Sequence, residues 1–218
     1  MEIMEALRNR HSVRQYTDRP IEAEKINELC AEAEACNRES GLHIQIVTNE
    51  PKAFDSFMAH YGKFSGVTNY IALVGKKSGK LDELCGYYGE RLVLKAQQLG
   101  LNTCWVAMTY RKIPGAFKVE KDEKLTAVIA LGYGITQGKA HKSKPVEQVV
   151  TAAEETPEWF KNGVEAALLA PTAMNQQKFT FTYNSGKATA KAGAGFYSKV
   201  DIGIVKYHFE IGSGRKCE

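Results

Sequence analysis

The five cysteines, Cys30, Cys36, Cys85, Cys104 and Cys217, include no Cys-x-x-Cys pair, and no histidine stands at zinc-finger spacing from them. No metal centre is expected. With an odd count and no signal peptide, reduced thiols and a cytoplasmic location are expected. No apolar run approaches the roughly 18 residues that cross a bilayer; the longest, Leu125 to Leu131, is interrupted by Thr126. A membrane partner is not expected. The Walker phosphate loop is missing, because Gly75 and Gly79 lead into Lys80-Leu81 instead of Gly-Lys-Ser/Thr. There is no Gly-x-Gly-x-x-Gly turn for a pyrophosphate. His11, His43, His60, His141 and His208 stand in unlike contexts and assemble no Ser/His/Asp or Cys/His triad, which removes support for hydrolase chemistry. Charge of one sign is also scarce: 29 basic against 25 acidic residues leave +4, spread along the chain. That argues against a nucleic-acid arm and is compatible with a cavity for a phosphorylated anion.

The chain has 218 residues, 44% of them hydrophobic and 25% charged, enough to bury a core without disulfides as one large domain or two small ones. Periodicity predicts a short opening helix from Glu2 to Arg8, a helix from Pro20 to near Cys36, an alternating strand Leu42–Val47, and a helix from Lys52 to about Tyr61. Tyr70–Val74 reads as a buried strand, Leu84–Leu99 as a central helix, and Asn102–Val106 and Leu125–Tyr133 as further strands. The polar segment 134–155 reads as a surface connection. A helix starts at Thr156-Pro157, Phe179–Tyr183 and Ala188–Ala192 form a hairpin, and Val200–Ile211 is the last helix. This order predicts an α+β or α/β sandwich. A worn repeat is visible: Gly86-Tyr87-Tyr88 resembles Gly195-Phe196-Tyr197, each ahead of an amphipathic helix.

Two stretches carry the chemistry. In Arg10-His11-Ser12-Val13-Arg14-Gln15-Tyr16 an extended backbone places Arg10, Ser12 and Arg14 on one side, a row of planar cationic forks and a hydroxyl suited to an anion; the alternative is a solvated basic strand. In Ala170-Pro171-Thr172-Ala173-Met174-Asn175-Gln176-Gln177-Lys178-Phe179 a helix end runs into a strand, and Asn175 could equally be a cap.

Together these stretches resemble the nitroreductase family of flavoproteins, whose Arg-x-Ser-x-Arg/Lys-x-Tyr/Phe and Pro-Ser/Thr-x-x-Asn-x-Gln stretches both contact FMN. The resemblance implies a nitroreductase-like α+β fold and hydride transfer from NAD(P)H to a small-molecule electron acceptor such as a nitroaromatic, a quinone or a flavin. A non-catalytic flavin-binding or storage protein is the alternative. It assigns Arg10, Ser12, Lys142 and Lys144 to the FMN phosphate, the two lysines because Lys142-Ser143-Lys144-Pro145 matches the family's late basic stretch. Arg14 goes to the N1/O2 edge of the ring, where reduction gathers negative charge. Thr172, Ala173 and Asn175 border the ribityl chain or ring, and His11 and Pro171 are counted with them. Gly100-Leu101-Asn102-Thr103-Cys104-Trp105 resembles the strand before the amide that meets flavin N5, which implies Ala107 or Met108 as that amide and Trp105 at the cofactor; Trp105 also reads as core. The Glu-Gly of many members is missing there. Family members pair two chains around each FMN, whereas here both motifs lie in one chain. The resemblance therefore implies two degenerate halves, 1–150 and 151–218, one flavin site per chain and a monomer with an internal pseudo-two-fold, further self-association left open.

Overall fold

In the computed structural model, residues 1–152 and 154–218 are described. The chain runs α1 (Ile3–Asn9), α2 (Ala23–Ser40), β1 (Gln45–Val47), α3 (Phe57–Tyr61), β2 (Asn69–Lys76), α4 (Leu81–Gln98), β3 (Asn102–Val106) and β4 (Glu123–Gly132). It continues through β5 (Val150–Ala152), α5 (Glu158–Ala167), β6 (Phe179–Asn184), β7 (Lys187–Ala192) and α6 (Ser198–Ser213).

The first sheet has the order β1-β2-β4-β3, antiparallel throughout. Its central strand β2 is buried along all but its last residue, which is why Tyr70–Val74 reads as a continuous apolar run. One face packs on α2 and α4 through Leu29, Ile71, Leu92 and Ile129. The other, which includes Val128, is covered by Val13, Tyr16, Phe54 and Phe64. The second sheet, β5-β6-β7, pairs β5 parallel and β7 antiparallel to β6. Ser185 and Gly186 join β6 to β7 with φ of 49° and 77°, the two left-handed positions of a tight hairpin. This sheet packs on α5 and α6, with Phe181 stacked on Phe209 at 4.8 Å.

Helices α4 and α6 join the two layers. A Cβ on Gly86 would lie 2.0 Å from the Val200 carbonyl oxygen, and a Cβ on Gly203 would lie 2.0 Å from that of Glu83. Val200 stands three residues before Gly203 and Glu83 three before Gly86, so exchanging the helices leaves the contact unchanged. That reciprocity is a local two-fold relation. It corrects the sequence pairing of Gly86 with Gly195: Gly86 lies inside α4, Gly195 precedes α6, and the packing matches Gly86 to Gly203.

Other boundaries shift for local reasons. The Asn37 side chain accepts from Ile44 N (2.7 Å) and donates to Ile44 O (3.0 Å), so β1 starts at Gln45 instead of Leu42. The Glu50 carboxylate takes Lys52 N and Ala53 N at 2.9 Å each, which makes a turn there, and helix α3 waits for its Ser56 cap. The expected surface connection 134–155 holds a 3₁₀ turn and β5, and position 153 lies outside the described residues. Among the described residues no helix is long and apolar enough to cross a membrane.

Candidate functional site

The N-terminal segment after α1 lies along β3. Ser12 bridges Thr103 in parallel, Val13 N donates to Thr103 O at 3.0 Å, and Val13 and Tyr16 are buried in the core. With those side chains turned inward, Arg10, Ser12 and Arg14 line one cavity of about 460 Å³, together with Gly138, Lys139, His141 and the 171–175 loop. Ser12, Arg14, Pro171, Thr172 and Met174 also line a second recess of about 180 Å³. The two recesses therefore adjoin. The second is floored by Cys104, Trp105, Val106 and Ala107 at the end of β3 and closed by Tyr197, Val200, Asp201 and Ile204 from the start of α6.

Arg10 is only 4% exposed, and its guanidinium makes no hydrogen bond among the described residues. Its nearest opposite charge, Glu90 Oε1, is 3.8 Å from Nε. Burial lowers the arginine's pKa, opposed by Glu90. Glu90 is itself fully buried on α4: Oε1 meets His208 Nε2 at 2.8 Å and Oε2 accepts from Trp105 Nε1 at 2.8 Å. A hydrogen-bonded network thus stands behind Arg10, which lines the cavity with a loose ion pair and no hydrogen-bond partner on Nε.

The 171–175 loop is held under strain. Met174, Asn175 and Gln177 adopt φ of 52°, 53° and 45°, a left-handed region that costs a side-chain-bearing residue roughly 1–2 kcal/mol. Thr172 Oγ1 accepts from Gln177 N at 3.0 Å, and Asp201 accepts from Ala173 N (3.0 Å) and Gln176 Nε2 (2.8 Å). Burial raises Asp201 to about 6. Because the folded chain binds this proton more tightly than the unfolded chain, ionised Asp201 destabilises the fold. The cost is about 3 kcal/mol, present above pH 6 and gone below the ordinary carboxylate pKa of about 3.9. Asp201→Asn keeps the acceptor for Ala173 N and gives up the one for Gln176 Nε2, which still donates to Phe196 O at 2.6 Å. The variant is expected to melt higher than the parent at pH 8, with the gap closing as pH falls to about 4. A gap independent of pH in calorimetric melts would contradict the assignment.

Most of the residues singled out in the sequence come together here: Arg10, Ser12, Arg14, Trp105, Ala107, Pro171, Thr172, Ala173 and Asn175 all line the joined cavity. Four do not. His11 faces a smaller recess with Arg8 and His141, and burial lowers its pKa. Met108 is 64% exposed and lines neither recess. Lys142 contributes only its carbonyl, which accepts from Asn175 Nδ2 (3.0 Å) and Gln177 Nε2 (2.9 Å). Lys144 Nζ donates to Gln177 O at 2.8 Å and is held away by it. Lys139 stands on the cavity wall where the two lysines were expected. Asn175 is no strand cap, since β6 starts at Phe179.

Sequence reasoning missed Glu90, His208 and Asp201. The signal was available: Glu90 falls on the same α4 stripe as Gly86 and Val93, and Asp201 and His208 share the α6 stripe with Ile204 and Val205. A charged residue on an otherwise apolar helical stripe marks a buried, partnered group.

The family model described as "Putative TM nitroreductase" matches residues 2–213. No curated protein matches. Among solved structures, a "putative nitroreductase" of Thermotoga maritima is 24% identical, covers 97% of this chain and 83% of its own, and superposes with a TM-score of 0.65. A "putative NADH dehydrogenase/NAD(P)H nitroreductase" of Parabacteroides distasonis is 26% identical over 67% of this chain and 95% of its own, with a TM-score of 0.54. A "putative nitroreductase in complex with FMN" of Desulfovibrio desulfuricans is 17% identical over 72% of this chain and 98% of its own, with a TM-score of 0.54. Since the family match spans nearly every residue and the mixed helix–sheet fold agrees with it, this chain belongs to the nitroreductase family that the model describes.

Proposed function

We propose that the protein is an FMN-dependent oxidoreductase passing hydride from NAD(P)H to a small acceptor such as a nitroaromatic, a quinone or a free flavin. Arg10 carries the reading. Its ion pair with Glu90, at 3.8 Å, is too long for a hydrogen bond; a buried cation so loosely paired costs several kcal/mol, which an anionic ligand in the cavity would offset. The donors fit FMN: Arg10, Ser12 and Lys139 suit a terminal phosphate, while the Trp105–Ala107 floor and the Pro171–Ala173 wall suit a flat ring. Family membership and the FMN complex of similar fold support the same ligand.

When bound, FMN supplies a two-electron carrier that accepts hydride and then gives it up. The chain's own residues bind and orient it. Arg14 lines both recesses and places a cation where negative charge gathers on reduction. Ala107, the first residue after β3, is the candidate for the amide at the ring's reactive edge. Met174, 80% exposed, gives the rim an apolar side on which an acceptor can rest.

The reciprocal α4–α6 contact supports a chain whose C-terminal half serves as the second subunit of a dimer, giving one site per chain. Denaturing the purified protein is expected to release FMN and no FAD, at one per chain. FAD, or no uptake at micromolar FMN, would sink the reading. Arg14→Ala, loaded with FMN, is expected to be reduced by NAD(P)H about tenfold or more slowly in stopped flow. Unchanged reduction would remove Arg14 from that role, and no reduction of the parent by either nucleotide would leave flavin binding without turnover.

A further inference from the structure

The two-fold relation between α4 and α6 extends to what the helices enclose. On α6, Tyr197, Val200, Asp201 and Ile204 close the recess at the end of β3. On α4, Lys80, Glu83, Leu84 and Tyr87 line a separate cavity of about 480 Å³. Each α4 residue precedes its α6 counterpart by the same stretch of chain that separates Gly86 from Gly203. The second cavity therefore stands where the helix-pair axis carries the first.

Its chemistry has diverged. Among the described residues no arginine lines it. In place of the Arg10–Arg14 segment beside β3, the C-terminal tail runs beside β7, with Glu218 N donating to Ala188 O at 3.1 Å, and it brings Lys216 and Cys217 to the wall. The two carboxylates in the lining are already engaged: Glu83 holds Lys206 at 2.8 Å, and Glu210 accepts from the Tyr87 hydroxyl at 2.6 Å. Lys80 and Lys216 have no carboxylate within ion-pair distance among the described residues, and both are exposed. Tyr87 and Tyr88 meet edge to face at 5.1 Å and supply aromatic wall. Free positive charge beside aromatic and aliphatic surface selects a flat ring bearing a negative group.

We propose that this cavity is a second ligand site, for a small aromatic carboxylate or a similar monoanion, distinct from the cavity that holds Arg10. The site stands whether or not the first cavity takes flavin. Calorimetric titration of FMN-loaded protein with 2-naphthoate tests it. One naphthoate per chain is expected, with affinity at least about tenfold weaker in the doubly substituted Lys80→Glu, Lys216→Glu protein, which reverses both unpaired charges. FMN affinity should be unchanged in that variant, because neither lysine lines the flavin cavity. 2-Naphthylmethylamine, which carries the opposite charge on the same ring, should not bind. Three results overturn the proposal: no naphthoate binding up to about 1 mM, equal affinity in the double variant, or equal binding of the amine.

Discussion

Arg10→Ala is expected to weaken FMN binding by about a hundredfold, since a charge-assisted contact from a desolvated cation contributes about 3 kcal/mol. The size follows from the position of the side chain. It is 4% exposed and stands 3.8 Å from a carboxylate already occupied by His208 and Trp105, so little of its charge is spent inside the protein. Lysine should not substitute, because its ammonium cannot present two parallel donors. A flavin-fluorescence titration checks this, and Lys139→Ala and Lys144→Ala sharpen it. The first should weaken FMN several-fold; the second should act only through the Gln177 carbonyl it holds, and much less. A change below about threefold for Arg10→Ala would mean that the anion lies elsewhere.

The largest effect on stability is expected at the helix crossing. In Gly203→Ala the new Cβ would stand 2.0 Å from the Glu83 carbonyl oxygen and 2.7 Å from Tyr87 N, both backbone atoms. No rotamer relieves that. The helices must separate, which breaks van der Waals packing along α4 and α6 and costs about 4 kcal/mol or more. Most of the marginal stability of a domain is lost. Gly86→Ala should match it, its Cβ lying 2.0 Å from Val200 O. Gly79→Ala is the control, with nothing within 4 Å of its Cβ, and should stay within about 0.5 kcal/mol of the parent in a denaturant melt. If Gly203→Ala melts like Gly79→Ala, the crossing is looser than the structure has it.

Elements whose signal is carried by their own residues were legible in the sequence. β3 was read with its true bounds, because the helix stop at Gly100 fixes where it can begin and the β-favouring Thr103, Trp105 and Val106 follow directly. The alternation of Arg10, Ser12 and Arg14 was legible too, since burial of Val13 fixes which side the cations take; Tyr16, which strict alternation would set beside them, turns into the core instead. Where a distant side chain decides, the pattern misleads. The start of β1 depends on Asn37 and that of α3 on the Glu50 carboxylate. The lysines at 142 and 144 had the right residue type and spacing for a phosphate, yet Gln177, 33 residues beyond Lys144, claims its ammonium. Gly86 was set beside Gly195 in the sequence, whereas the glycine that meets α4 as Gly86 meets α6 is Gly203, which only the packing of the two helices reveals.

That packing has a consequence for how the protein behaves on dilution. Two subunits meeting through such a crossing separate when their concentration falls, and their shared site is lost with them. Here the two helices belong to one chain, so their meeting is intramolecular and does not depend on how concentrated the protein is. The crossing is insured against scarcity. Only the seam must then stay complementary: surfaces and cavities away from it can change without altering the helix contact. Two unlike cavities flanking one symmetric helix pair are what such freedom permits.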